Sequence, residues 1–285
     1  MVKGAEIMNR KARVIVLAGQ SNAVGVGHVV YLPNHFDQST IEQFTNGYNN
    51  ILINYNSHDI KSNGFVKTTV GCTECSKRTL GPEVGIAQTL SQKYPDEKFY
   101  IVKCAFGGTN LFNDWLSPSG GEAYSKLSHN NENIQDEHYR TAGWCYNELT
   151  AITDESLSFF EGEGFVPEII AFCWMQGESD ADKEHCVDYG TRYKALLNDF
   201  TARYGKYYCN CIFVDAGISE IWQEYKVINT IKETHAKTAK NSFYVDTIAQ
   251  GLTTLNEPEG DADVAHYDCD CTVKLGNLFA EKIKL

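Results

Sequence analysis

The amino-acid sequence predicts an α/β fold in which a parallel β-sheet is covered by helices. Short apolar runs rich in β-branched residues recur along the chain, and amphipathic stretches with helical spacing separate them. Because the runs are apolar on both faces, they are typical of buried parallel strands. Five runs are predicted to form strands: Val14–Ala18, Phe99–Cys104, Ile169–Trp174, Ile212–Ala216 and Phe243–Asp246.

Helices are predicted between these strands and after the last one. The clearest begins at Gly81-Pro82-Glu83, where proline suits a first helical turn, and continues to Tyr94. Ile51–Ile53 predicts a short extra strand, and the polar stretch Ser117–Gln135 predicts a long loop. Four further helices are predicted: Thr141–Glu161, Tyr189–Tyr204, Glu220–Lys240 and Thr272–Ile283.

No repeat or linker divides the 285 residues, so a single domain is predicted over 1–285, with residues 1–12 as an N-terminal extension. No apolar run approaches the roughly 18 residues that span a bilayer. The segment Met1–Arg13 lacks the apolar stretch of a signal peptide, which predicts a cytoplasmic protein without a membrane partner. The net charge of −12 disfavours a nucleic-acid partner, and the sequence leaves the oligomeric state open.

The ten cysteines include three pairs that are close in sequence. We predict free thiols in a reducing compartment, because cysteines inside apolar runs behave as small hydrophobic residues. Disulfides are the first alternative, and a zinc site is the second. Only the spacing of Cys72 and Cys75 suits zinc, whereas the eight histidines form no close-set pair, so no metal cofactor is predicted.

The first of four polar motifs follows the first predicted strand and reads Gly19-Gln20-Ser21-Asn22. A serine at this point lies at the carboxyl edge of the sheet, where open α/β folds bind ligands. If a helix follows, the backbone N–H of Ser21 helps to hold an oxyanion. The alternative is that Ser21 only caps that helix.

Two more motifs follow the strands at Cys104 and Trp174. The paired glycines of Gly107-Gly108-Thr109 let a backbone approach a bound group closely, although an ordinary turn has the same sequence features. The stretch from Gln176 to Ala181 brings an amide and two carboxylates to the same sheet edge, although a strand-to-helix turn with a capping box fits it too.

The fourth motif pairs Asp263 with His266 ahead of the last helix. A carboxylate three residues before a histidine can accept a hydrogen bond from Nδ1. This leaves Nε2 free to take a proton from a serine, as in a catalytic triad. Taken alone, such a pair is more often incidental.

In order along the chain, the four motifs resemble the SGNH hydrolases, and more narrowly the branch of sialate O-acetylesterase-like and acetylxylan-esterase-like proteins called carbohydrate esterase family six. The resemblance covers Arg13–Ile283 and is most specific over Pro167–Ala181. It implies a three-layer α/β/α sandwich with a mainly parallel sheet of about five strands, wound in a flavodoxin-like manner. It also implies removal of acetyl groups from a carbohydrate through an acetyl-serine, without a cofactor.

Carried over to this chain, the resemblance implies a triad in which Ser21 is the nucleophile, His266 the base and Asp263 the group that orients it. It implies an oxyanion hole made of the backbone N–H groups of Ser21 and Gly108 and the side-chain amide of Gln176. The remaining motif residues are expected to support the site or bind substrate: Gln20, Asn22, Gly107, Thr109 and Glu178.

Some features depart from the resemblance or remain open. The segment Tyr48–Thr79 follows no family pattern and is expected to form a wall of the substrate cleft. Asp261, Asp268 and Asp270 also lie near His266 in sequence, so the choice of Asp263 rests on the family spacing. The acetylated substrate is expected to be a xylo-oligosaccharide or a sialic acid. The alternatives are a short-acyl ester or thioester outside the sugars and a non-catalytic carbohydrate-binding relative.

Overall fold

The computed structural model describes residues 10–57, 60–73, 78–124 and 141–285. Within these ranges, helices flank a mostly parallel central sheet. The strands are β1 Arg10–Gly19, β2 Gly27–His28, β3 Ile51–Ser57, β4 Ile60–Lys61, β5 Val66–Lys67, β6 Thr79–Leu80, β7 Phe99–Ala105, β8 Phe165–Met175, β9 Tyr208–Ala216 and β10 Ser242–Val245. The helices are α1 Ser21–Val24, α2 Leu32–His35, α3 Gln38–Asn46, α4 Pro82–Lys93, α5 Trp144–Gly162, α6 Cys186–Tyr204, α7 Tyr225–Thr238 and α8 Cys269–Lys282.

The central sheet has the strand order β10-β9-β8-β1-β7-β3-β4, and β5 also pairs with β3. All five predicted strands form and are parallel to one another. Numbered along the chain, these five lie in the order 2-1-3-4-5, the flavodoxin-like arrangement that was expected.

The expected number of about five strands is too small. The run at Ile51–Ile53 forms β3, a sixth parallel strand beside β7, and β4 and β5 add two antiparallel pieces to it. Each of these pieces is two residues long, too short for an alternating pattern to reveal it in the sequence. The described part of the sheet therefore contains eight strands.

The burial of the parallel strands explains why they could be predicted from the sequence. Every residue of β7 is buried, and so are the last six residues of β1. Strand β1 begins at Arg10, inside the predicted extension 1–12, because Arg10 and Lys11 still pair with the first residues of β8. Among the helices, α7 begins five residues later than predicted and α8 three residues earlier.

The register of the central strands brings three loops together. Gly19, the last residue of β1, is level with Ala105 at the end of β7 and with Met175 at the end of β8. The chain therefore leaves all three strands at adjacent points of one edge. Because β1 lies between strands that follow it in the chain, this edge is the topological switch point where such sheets bind ligands.

The nine cysteines in the described ranges are free thiols, and all except Cys209 are buried. Burial raises the pKa of the Cys211 thiol to about 12, which leaves it un-ionised at neutral pH. Cys75, which the zinc alternative needed, lies outside the described residues. In the ranges that are described, no group of three or more histidine, cysteine or acidic side chains is arranged to hold a metal ion. No described helix is long and apolar enough to cross a bilayer.

Candidate active site

Close contact between β1 and β8 determines the conformation of the first motif. Gly19 has a φ of 144°, and a Cβ built on it would lie 1.8 Å from the carbonyl oxygen of Met175, so only glycine fits. The next residue, Gln20, donates its backbone N–H to that same carbonyl at 2.9 Å. The strand end is therefore fixed directly before Ser21.

The side chain of Gln20 joins the first motif to the third. Its Oε1 lies 3.1 Å from the backbone N of Ser179 and 3.4 Å from that of Gly177. It also lies 3.3 Å from Nε2 of Gln176. Because Gln20 is buried, these contacts fix the position of the third motif relative to the strand end that precedes Ser21.

Ser21 is the first residue of the four-residue helix α1, whose N-cap is Gln20. The alternative that Ser21 caps the helix therefore does not describe its position. Ser21 is half-buried. Among the described residues, no backbone carbonyl accepts a hydrogen bond from the N–H of Ser21 or of Gly108. Both N–H groups could therefore donate to a bound oxyanion.

Thr109 closes the turn that carries the second motif. Its hydroxyl donates to the carbonyl of Phe106 at 2.7 Å and accepts from the indole N–H of the buried Trp115 at 2.8 Å. Gly108 lies between Phe106 and Thr109 in this turn. It is exposed and has a φ of 68°, and a Cβ built on it would meet no atom within 4 Å. The turn thus presents a bare backbone to open space, as an oxyanion site requires.

Gln176, the expected third oxyanion donor, is completely buried. Its Nε2 lies 2.5 Å from Oδ2 of Asp180 and 3.2 Å from the carbonyl oxygen of Thr109, in addition to the contact with Gln20. Its Oε1 accepts from the hydroxyl of Tyr189. Direct donation to a substrate therefore requires one N–H of Gln176 to leave its protein acceptor, and this role stays a prediction.

The fourth motif forms a local Asp–His pair. Nδ1 of His266 lies 2.6 Å from Oδ2 of Asp263, whose Oδ1 accepts from the backbone N–H of Ala265 at 3.2 Å. The neighbouring Asp268 instead binds Asn256 and the backbone N–H of Glu257. Of the acidic residues near it in sequence, Asp263 is the one that contacts His266.

Asn22 connects the Ser21 segment to the His266 segment. Its Oδ1 accepts from the backbone N–H of Tyr267 at 3.0 Å, and its Nδ2 lies 3.4 Å from the carbonyl oxygen of Ala265. These are the two residues on either side of His266. One side chain adjacent to Ser21 therefore holds both neighbours of His266.

Glu178 in turn holds Asn22. Its Oε1 accepts from Nδ2 of Asn22 at 2.7 Å, whereas its buried Oε2 has no hydrogen-bond partner among the described residues. Burial raises the pKa of the Glu178 carboxyl above its usual range, although the bond from Asn22 opposes this shift. Glu178 therefore holds Asn22 by a hydrogen bond, and its expected role in supporting the site stays a prediction.

Two buried ion pairs that were not expected from the sequence support the site. Lys103 donates to Oε2 of Glu83 at 2.7 Å and to the carbonyl of Val24, the last residue of α1, at 2.6 Å. Lys232 donates to Oδ1 of Asp215 at 2.8 Å and to the carbonyl of Gln176. Both lysines are fully buried. A lysine inside an apolar strand such as β7 is the signal that could have identified the first pair.

The structure thus brings the four motifs to one edge of the sheet. Asn22 links the first motif to the fourth, Gln20 links the first to the third, and the contact of Gln176 with Thr109 links the third to the second. Polar side chains and backbone N–H groups of this kind suit acyl transfer, in which a nucleophile, a base and oxyanion donors must converge.

A family model and several solved structures match this chain. Residues 11–284 match the family model described as carbohydrate esterase, sialic acid-specific acetylesterase. No match was found among curated protein sequences.

Solved structures share the fold at low sequence identity. The structure of NanS is 17% identical with a TM-score of 0.66, and the match covers 96% of each chain. A protein from Arabidopsis thaliana is 18% identical with a TM-score of 0.63, covering 94% of this chain and 96% of that one. A carbohydrate acetylesterase from Xanthomonas citri is 12% identical with a TM-score of 0.59, covering 95% of this chain and 55% of that one.

The structural matches show the fold alone, whereas the family model also spans all four motifs at the sheet edge. The chain therefore belongs to the carbohydrate esterase, sialic acid-specific acetylesterase family, and it is a carboxylic ester hydrolase.

Proposed function

We propose that the protein removes O-acetyl groups from a carbohydrate, either an acetylated xylo-oligosaccharide or a sialic acid, through an acetyl-serine intermediate. The main support for this proposal comes from the contacts of the Asn22 side chain. It binds the residues on both sides of His266 while its own backbone adjoins Ser21. A serine and a histidine–aspartate pair are thereby held in adjacent segments of one sheet edge.

In the proposed reaction, Ser21 Oγ attacks the acetyl carbonyl while His266 Nε2 takes the hydroxyl proton. Asp263 keeps Nδ1 of His266 protonated and oriented through the 2.6 Å contact. The backbone N–H groups of Ser21 and Gly108 stabilise the negative charge that develops on the carbonyl oxygen. As the tetrahedral intermediate collapses, the bond from the acetyl carbon to the sugar oxygen breaks, and the imidazolium gives its proton to that oxygen, which leaves as a hydroxyl group.

Deacylation repeats these steps with water. His266 takes a proton from a water molecule, which attacks the acetyl carbonyl of Ser21 and displaces the serine oxygen. The proton returns to Ser21, and acetate leaves. No step needs a metal or an organic cofactor, because the histidine and the backbone dipoles supply the acid–base and electrostatic catalysis.

The test is hydrolysis of p-nitrophenyl acetate and butyrate by the wild type and by Ser21→Ala, with acetate release measured from O-acetylated sialic acid and from acetylated xylo-oligosaccharides. We expect acetate to be preferred over butyrate, and Ser21→Ala to lose about 10⁴-fold or more in kcat. Wild-type rates in Ser21→Ala would contradict the mechanism. Hydrolysis of the nitrophenyl esters without acetate release from either sugar would favour the short-acyl alternative.

A further inference from the structure

Asp180 is one of the two carboxylates of the third motif, and the sequence alone assigns it no separate role. It lies in the third motif, in a short 3₁₀-helix at Glu178–Asp180, and only 1% of it is exposed. Its Oδ2 lies 2.8 Å from the backbone N of Leu111 and 2.5 Å from Nε2 of Gln176. Its Oδ1 lies 3.1 Å from the backbone N of Phe112. The Asp180 side chain thus connects Gln176 to the backbone segment that follows Gly108.

These contacts need an ionised carboxylate. All three partners are N–H donors, and both oxygens of Asp180 accept from them. A protonated acid would direct its O–H towards one of these donors, and an asparagine would do the same with its NH₂ group. Hydrogen bonds to an ionised acceptor are also shorter and stronger than neutral ones. A neutral side chain at this position therefore loses at least one contact.

We propose that Asp180 is a positioning residue for the oxyanion hole. It fixes the loop that carries Gly108 and the side chain of Gln176 relative to each other and to Ser21. The proposal rests on the esterase function proposed above. It assigns Asp180 no contact with substrate, because the carboxylate is buried and acts through Leu111, Phe112 and Gln176.

The environment of Asp180 gives this role a pH dependence. Burial raises the pKa of the Asp180 carboxyl to about 6, against the opposing effects of its three hydrogen bonds and of His185. As the pH falls through this value, Asp180 takes up a proton and its donors lose an acceptor. The charged and titratable groups around it are His185 with its partner Asp182, Tyr189, Arg192, Glu178 and Lys232.

Activity should therefore fall at acid pH for two reasons. His266 must be unprotonated to act as the base, and Asp180 must be ionised to hold the loop. Protonation of Asp180 should lower kcat by about a further 10- to 100-fold beyond the loss of the base, so over this pH range the logarithm of kcat falls more steeply than about 1 per pH unit. A single essential group gives a slope of about 1.

The test compares Asp180→Asn with Asp182→Asn, a matched change two residues away that removes an exposed carboxylate bound to His185. We expect Asp180→Asn to lower kcat per active site about 10- to 100-fold with little change in KM, because the oxyanion donors are displaced. On the acid side of its pH profile, the logarithm of kcat should fall with a slope of about 1 per pH unit. Asp182→Asn should keep the wild-type kcat and the steeper fall of kcat on the acid side of the pH profile. Active-site titration corrects each rate for unfolded enzyme.

Two results would overturn the positioning role. One is an Asp180→Asn enzyme with fewer active sites but with the wild-type kcat per site and pH profile. The other is a single-proton acid limb in the wild type, a measurement that does not depend on the variant folding. The Ser21→Ala variant distinguishes this failure from failure of the proposed function. If Ser21→Ala is active, the proposed serine esterase mechanism itself is wrong.

Discussion

The chain contains two Asp–His pairs with nearly the same local geometry. In Asp263–His266 the contact between Nδ1 and Oδ2 is 2.6 Å, and in Asp182–His185 it is 2.5 Å. The histidine side chains are 25% and 26% exposed. In both pairs the second carboxylate oxygen accepts a backbone N–H from the same turn. Judged by the pair alone, either histidine could serve as a base.

Their surroundings differ. Asn22, next to Ser21, holds the residues on both sides of His266. The ring of His185 instead packs edge-on against Phe112, with the ring centroids 4.8 Å apart. An Asp-x-x-His turn is therefore a local structure that forms at two unrelated places in this chain. Its assignment as a base depends on what joins it to the nucleophile.

The largest difference is expected between the two histidine variants. His266→Ala should lower kcat/KM for p-nitrophenyl acetate by about 10⁴-fold or more, because His266 is the proposed acceptor of the Ser21 proton. His185→Ala should change it by about threefold at most, since the contacts of His185 with described residues are to Asp182 and Phe112 and not to the proposed triad. Steady-state kinetics of both variants, each checked for folding by circular dichroism, tests the comparison. A large loss in His185→Ala with activity retained in His266→Ala would exchange the two assignments.

A smaller effect is expected when the link to Ser21 is removed. Asn22→Ala leaves the triad side chains in place but releases the residues beside His266, and we expect kcat to fall about 10²-fold through misplacement of the base. Loss of its buried hydrogen bonds should also cost about 1–3 kcal/mol of unfolding free energy.

Asn54→Ala is the matched control for that variant. Asn54 is also a buried asparagine, with two side-chain hydrogen bonds where Asn22 has three, but its partners are Ser62 and Ser156, which belong to none of the four motifs. It should lower the free energy of unfolding by a similar amount and leave kcat unchanged. Equal losses of kcat in the two variants would mean that Asn22 acts only through stability.

Much of the fold could be predicted because its determinants are periodic. Strands such as β7 and β8 are buried on both faces and therefore read as continuous apolar runs. The two-residue strands β4 and β5 were missed, since pairs of this length leave no pattern and depend on β3 as a template. The four motifs at the sheet edge could be found for a similar reason, because each directly follows a buried strand or precedes the last helix.

The contacts among the motifs could not be predicted from the sequence. Asp180 and Lys232 resemble ordinary surface charges in a polar loop and on an amphipathic helix, yet both are buried by partners far away in the chain. Gln176 was expected to face the substrate, whereas the structure surrounds its amide with protein acceptors. Which donor meets which acceptor depends on distances across strands, and residue types alone do not encode them.

The central claim is that Ser21 is a nucleophile activated by His266, and covalent labelling tests it most directly. The wild type, His266→Ala and His185→Ala would each react with a fluorophosphonate probe, followed by peptide mass spectrometry. Our account predicts a label on Ser21 in the wild type and in His185→Ala, and none in His266→Ala on the same timescale. A label on a different residue, or equally fast labelling of Ser21 without His266, would contradict it.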